Sequence, residues 1–166
     1  MRKAGLLKRI FAFVLDVLEI YIPLVTFSIM FVAFVVQIFF RYVLNAPLTW
    51  PHEITLIAFI WTTLLGACYA RRLNAHVCFG VVYDLLTPAR QLVVRLTGNG
   101  IIVIVFCAAL YPCYDFVAFM EFQKTTVARI PFSIVYFPFV VFMVLIIGHS
   151  LNDIIADFKK LVKEKA

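Results

Sequence analysis

The sequence predicts an all-α integral membrane protein with four transmembrane helices, amphipathic membrane-surface helices, and both termini in the cytoplasm. Two properties of the composition predict the membrane class. Of the 166 residues, 64% are hydrophobic and only 14% are charged, against about 45–50% and about 25% in soluble domains. A small soluble domain buries only about two-thirds of the surface that its unfolded chain exposes, so the apolar excess must face lipid. This excludes a cytosolic enzyme, a disordered regulator and a secreted disulfide-rich protein.

Four apolar runs are long enough to cross a bilayer, which takes about 20 helical residues. They cover residues 20–40, 53–70, 90–121 and 131–157. Pro88 precedes the third run and Pro131 opens the fourth, and a first helical turn accepts proline. None of the runs alternates with the period of two that barrel strands show. We therefore predict one membrane domain, 1–166, built on four helices.

Two further segments are predicted at the membrane surface and a third in the cytoplasm. Residues 1–18 form an amphipathic N-terminal helix, because their apolar side chains fall on one helical face. Asp16 and Glu19 interrupt the apolar stretch that follows Arg9, and no small-residue cleavage site follows, so the N-terminus is not a signal peptide. Residues 76–87 are apolar but too short to cross, which predicts a surface helix. Residues 158–166 form a basic cytoplasmic tail.

The distribution of basic residues predicts the orientation. With the N-terminus inside, twelve Lys and Arg lie in inner segments and three in outer ones, namely Arg41, Lys124 and Arg129. This asymmetry follows the positive-inside rule, and an even number of spans agrees with it. The net charge of +6 lies in short flanks between apolar runs. The basic residues therefore predict no nucleic-acid partner.

Ionisable residues inside a membrane are costly, so each is a candidate functional residue. Asp115 lies in the outer part of the third run. It would be neutralised by a cation such as Arg41, reach water, or couple ions in a small homodimeric exporter. His76 and His149 lie near the cytoplasmic boundary. Two such histidines would ligate haem in a membrane anchor of a respiratory enzyme, which is the alternative function.

The second run carries features of a contact between helices. Gly66 and Ala70 form a small-xxx-small pair that lets another helix approach closely. Trp61 lies near the middle of the run, where its indole N–H needs a partner, and Trp50 suits the outer interface. The four cysteines form no C-x-x-C pair, and no catalytic motif is found. No cofactor, metal site or enzymatic activity is predicted.

Several residues follow one another in a characteristic order along the chain. They are Phe40-Arg41-Tyr42, Trp50-x-x-Glu53, Trp61, Leu65-Gly66, Arg71-Arg72, His76, Ile130-Pro131, Val135-Tyr136 and Pro138. This order, over residues 15–157, resembles the small membrane subunit of tripartite ATP-independent periplasmic (TRAP) transporters, the DctQ-like family. The chain departs from the family at His52 and Gly80, where an acid is often found.

The resemblance implies a three-part importer in the bacterial inner membrane. A soluble periplasmic protein would capture an organic acid of the carboxylate or sialic-acid type. A large multi-span subunit would carry it inward by an elevator motion driven by a sodium gradient. The small subunit would be a non-catalytic partner, surrounded by membrane lipids, that braces the large one. It would also help to dock the binding protein.

On this interpretation nine residues form the partner interface or support the structure near it. Arg41, Trp50 and Glu53 would order the outer surface. Arg71, Arg72 and His76 would fix the inner turn before the surface helix. The last three, which would line a helix–helix contact, are Trp61, Gly66 and Ala70.

Overall fold

The computed structural model describes residues 9–10, 12–73 and 87–164. Regular structure in these ranges is helical, apart from an isolated bridge between Lys124 and Pro131. Helix α1 covers Ala12–Tyr42 and includes a π-helical turn at Val17–Tyr21. Helix α2 covers Trp50–Arg72, α3 covers Pro88–Phe119 and α4 covers Phe132–Glu164, and a 3₁₀ turn, Met120–Phe122, follows α3.

Four helices of the described ranges are long and apolar enough to cross a membrane, as predicted. The stretches concerned are Ala12–Tyr42, Trp50–Arg72, Arg90–Phe122 and Phe132–Lys159. In α2 the sequence explains both ends of the helix. Pro51 and Glu53 lie in its first turn and Arg71 and Arg72 in its last, so the charges match the helix dipole.

The surface segments are described in part. Residues 12–16 are helical and continue without a break into the first span. Whether this lead-in lies on the membrane surface stays a prediction. The predicted surface helix at 76–87 falls outside the described residues except for Thr87. The basic tail continues α4 as helix up to Glu164.

The four helices lie side by side in the order α1–α2–α4–α3, so that they form a row. Helix α1 packs along α2, α2 packs along α4, and α4 packs along α3. Thr26 of α1 and Thr62 of α2 share a hydrogen bond of 2.8 Å between their hydroxyl oxygens. Buried residues make up 17% of the apolar window of α2 and 28% of that of α4, against 11% for α1 and 6% for α3. The row therefore has α2 and α4 at its centre and two open edges.

Candidate functional site

Polar side-chain contacts are concentrated at the two ends of the helices, which we call the loop end and the ionic end. The loop end is formed by residues 43–49 and 123–131 with the first turn of α2. The ionic end is a cluster of charged and polar side chains where α1 begins, α2 ends, α3 begins and α4 leaves its apolar stretch. Its members are Asp16, Glu19, Arg71, Arg72, Arg95, Asn99, His149, Asp153 and Asp157.

At the loop end, Glu53 holds the connection between α3 and α4. One carboxylate oxygen accepts a hydrogen bond of 2.9 Å from the backbone N–H of Val127, and the other accepts one of 2.9 Å from Ala128. Hydrogen bonds to a charged acceptor are stronger than neutral ones. Glu53 thereby ties the first turn of α2 to a loop that lies more than 70 residues further along the chain.

The loop that Glu53 holds also has internal hydrogen bonds. The N–H of Thr125 donates to the carbonyl of Ile130 at 2.9 Å, and the Thr125 hydroxyl accepts the N–H of Ile130 at 3.0 Å. The N–H of Phe132 donates to the carbonyl of Gln123 at 2.9 Å. These bonds close the loop into a small, defined structure at the entry to α4.

Weakening the Glu53 clamp should loosen this loop. Glu53→Gln keeps one carbonyl oxygen, so we expect one of the two N–H groups, of Val127 or Ala128, to lose its acceptor. Hydrogen–deuterium exchange of a peptide covering residues 125–131 should become faster, and faster again in Glu53→Ala. Glu121→Gln is the matched control, since this exposed acid at the same end has no hydrogen bond to any described residue. Unchanged exchange in Glu53→Ala would refute the clamp.

At the ionic end, Glu19 is the point where three helices meet. Its side chain is fully buried, with 0% of its surface exposed. Arg72 of α2 donates to Glu19 at 3.3 Å and to Asp16 at 2.6 Å. His149 of α4 places its Nε2 2.6 Å from a Glu19 carboxylate oxygen. A buried carboxylate needs such partners, because its removal from water is otherwise very costly.

A second set of contacts joins α2, α3 and α4. Arg71 donates to the carboxylate of Asp153 at 3.2 Å and to the side-chain oxygen of Asn99. Arg95 donates to Asp157 at 2.9 Å, and the Asp157 side chain is almost fully buried. The neighbours Arg71 and Arg72 point about 100° apart around their helix, so each reaches a different helix.

Sequence reasoning missed most of the ionic end, although α4 carries a signal for it. His149, Asp153 and Asp157 follow one another at intervals of four residues, which places them on one face of a helix. Arg95 and Asn99 show the same interval on α3. Polar residues repeated in this way beside an apolar span indicate a face that is bonded to other helices.

Several of the residues singled out from the sequence lie within the described ranges. Arg71 and Arg72 are bonded to other helices, and the inner turn with His76 lies outside the described residues. Within the described ranges Gly66 has open space beside it: a Cβ placed there would meet no atom within 4 Å outside its own helical backbone. The Nε1 of Trp61 is buried without a hydrogen-bond partner in the part of the chain that the structure describes. Among the described residues, no helix of this chain therefore makes the predicted close contact at Gly66 or partners the Trp61 indole.

Of the alternatives considered for Asp115, a pairing with Arg41 is not seen among the described residues. The Arg41 guanidinium lies over the ring of Tyr42, 5.7 Å from its centroid. Asp115 is exposed and forms no ion pair or hydrogen bond with a described residue. The physical reason is the row, since α1 and α3 are its opposite edges. Trp50 is exposed at the start of α2.

The contacts of His149 bear on the alternative function. The ring nitrogen Nε2, a usual ligand of haem iron, is engaged by Glu19. His76, the other predicted ligand, is outside the described residues. Across residues 9–10, 12–73 and 87–164, no group of three His, Cys, Asp or Glu is placed to hold a metal ion. Nothing in this geometry favours the haem-anchor interpretation.

The fold defines a multi-pass membrane protein with four membrane-crossing helices, which are bonded to one another at both of their ends. The broad apolar faces of these helices are available to lipid or to another protein. The comparison with protein families identifies which kind of membrane protein this is. A family model for the DctQ component of tripartite ATP-independent periplasmic transporters matches residues 30–160, and the chain belongs to this family. No curated protein sequence gives a match.

Membership of this family confirms the interpretation that the order of residues supports. It makes the chain a small membrane subunit of a TRAP transporter. Such a subunit associates with a large membrane subunit and a binding protein, and is a multi-pass protein of the bacterial inner membrane.

Proposed function

We propose that this chain is the stationary, non-catalytic brace of a sodium-coupled importer of an organic acid. The observation that supports this most strongly is the ionic end, where charged side chains link all four helices. An elevator mechanism needs one part that keeps its position while the other moves, and a set of helices cross-linked in this way suits the fixed part.

The partner surface that we propose lies on α2. Phe59, Thr63, Gly66 and Ala70 follow at intervals of four, three and four residues, which places them in one stripe along the helix. Phe59 and Thr63 are exposed, and the space beside Gly66 is open. A helix of the large subunit lying along this stripe would approach the α2 backbone closely.

The loop end is proposed to face the periplasm, with both termini in the cytoplasm. The excess of Lys and Arg at the other end supports this orientation. The loop held by Glu53 would then offer a preformed surface to the binding protein. Binding to an ordered loop costs less conformational entropy than binding to a mobile one.

Reconstitution tests the proposed function. Proteoliposomes containing this chain alone should show no organic-acid uptake. Vesicles that also contain the large subunit, with the binding protein outside, should show uptake that depends on a sodium gradient. Sodium-driven uptake by the isolated chain would refute the role as a brace.

A photo-crosslinking residue at Thr63 tests whether the contact is stationary. We expect it to join the chain to the large subunit while the uptake rate stays unchanged. A residue of the same kind at Val93, exposed on α3, is the control position and should give little product. A cross-link at residue 63 that stops transport would mean that this surface moves during the cycle.

A further inference from the structure

A cleft at the loop end is a candidate binding site outside the contacts described above. It has a volume of about 510 Å³ and lies between the last turn of α1 and the first turn of α2. This volume falls within the range of about 300–1,000 Å³ that is usual for small-molecule sites. The polar side chains that line it are Gln37, Arg41, Asn45, Thr49 and His52.

Apart from the contact of the Arg41 guanidinium with the Tyr42 ring, the polar groups of this cleft lack partners in the described part of the chain. Neither Arg41 nor His52 forms an ion pair or hydrogen bond there, and the hydroxyl of Thr49 does not cap α2. Glu53, the acid of the same helical turn, is occupied by the N–H groups of the α3–α4 loop. The cleft therefore keeps the positive charge of Arg41, to which the N-terminus of α2 adds its partial positive charge.

An apolar strip leads along α1 into this cleft. Phe34, Ile38 and Arg41 are spaced by four and three residues, which places them on one helical face. Phe34 is 50% exposed and Ile38 is 42% exposed. Arg41 lies in the last turn of the helix, where a membrane span reaches the level of the lipid headgroups. The strip thus offers a hydrocarbon surface directly beside a cationic pocket.

We propose that the cleft binds the phosphate of an anionic phospholipid. The phosphate would accept hydrogen bonds from Arg41 and from the polar side chains around it, while an acyl chain lies along Phe34 and Ile38. Charge selects the lipid class, since a zwitterionic headgroup brings an ammonium group that Arg41 and the end of α2 repel. The adjacent apolar strip favours a lipid over a water-soluble anion.

Tryptophan fluorescence can measure this binding, because Trp50 stands between Thr49 and His52 in the sequence. The full chain with Trp61→Phe, which leaves Trp50 as its single tryptophan, is reconstituted in phosphatidylcholine vesicles. Brominated phosphatidylglycerol should quench Trp50 with an apparent affinity about fivefold higher than brominated phosphatidylcholine, as one favourable cation–lipid contact implies. Arg41→Gln should remove this preference.

The matched control is Arg129→Gln, which removes the same charge from the same end but outside the cleft. It should keep the preference for phosphatidylglycerol. If Arg129→Gln lost this preference as fully as Arg41→Gln, the preference would come from general surface charge, and the proposal would be overturned. Inorganic phosphate, compared with chloride at equal ionic strength, should not displace the lipid. Displacement would assign the cleft to a soluble anion.

The complex with the large subunit provides the last arm of the test. The preference should persist in that complex, assembled with a large subunit whose own tryptophans are replaced by phenylalanine so that Trp50 remains the measured fluorophore. Its disappearance there would mean that protein fills the cleft, and the lipid assignment would be wrong. The absence of any preference in the isolated chain would also overturn it.

Discussion

Arg72→Met is expected to lower the free energy of unfolding by about 3 kcal/mol, because it leaves Glu19 buried with His149 as its main remaining partner. Removing one partner of a buried ion pair costs about 3–5 kcal/mol. We expect the lower end, since the Arg72 side chain is itself 36% exposed. The measurement is unfolding of the purified chain in mixed micelles with increasing SDS.

A second substitution separates the buried charge from general damage to α2. Glu19→Gln, introduced into the Arg72→Met chain, should restore about half of the lost stability, because a neutral amide is less costly to bury than an unpaired carboxylate. Arg90→Met is the control, since this exposed arginine at the start of α3 has no ion pair with any described residue. If the double variant is less stable than Arg72→Met, the explanation through the Glu19 charge fails.

Gly66→Leu is expected to reduce assembly with the large subunit by at least about fivefold. A leucine on the partner stripe would hold two helices apart, and overpacking of a close contact costs about 1–3 kcal/mol. The chain itself should fold as before, since a Cβ at this position meets no atom within 4 Å. Co-purification of the two subunits, with the yield of this chain as reference, measures the effect.

The matched control for this prediction is Gly98→Leu. Gly98 lies on α3, and its surroundings are open in the same way. It is outside the α2 stripe, so complex yield should stay near that of the unchanged chain. A similar loss in both variants, or no loss at Gly66, would place the large subunit on a different surface.

The four spans could be predicted because their cause is local. Apolar length fixes how many helices cross, and prolines such as Pro51 and Pro131 mark where they begin. Glu53 could also be placed at the start of α2. Its partners could not, because they are the backbone N–H groups of Val127 and Ala128, and every residue except proline carries such a donor.

The order of the helices in the row was not predictable from these local patterns. The pairing of Asp115 with Arg41 assumed that α1 and α3 could meet, and the row separates them. Arg71 and Arg72 were recognised as a pair, but their partners depend on which helices flank α2. Only the interval of four between His149, Asp153 and Asp157 indicated that α4 lies at the centre of an ionic contact.

The uneven placement of the cross-links gives the chain an anisotropic stiffness. Ion pairs between helices are concentrated where Glu19 and Asp157 are buried. Towards the loops the links are fewer, namely the hydroxyl pair of Thr26 and Thr62 and the Glu53 clamp. A single layer of helices linked in this way resists sliding of one helix past another at the ionic end. At the loop end the helices can move apart more easily. If the large subunit twists this chain as it moves, the helices would separate slightly at the loop end. Their relative positions at the ionic end would stay unchanged.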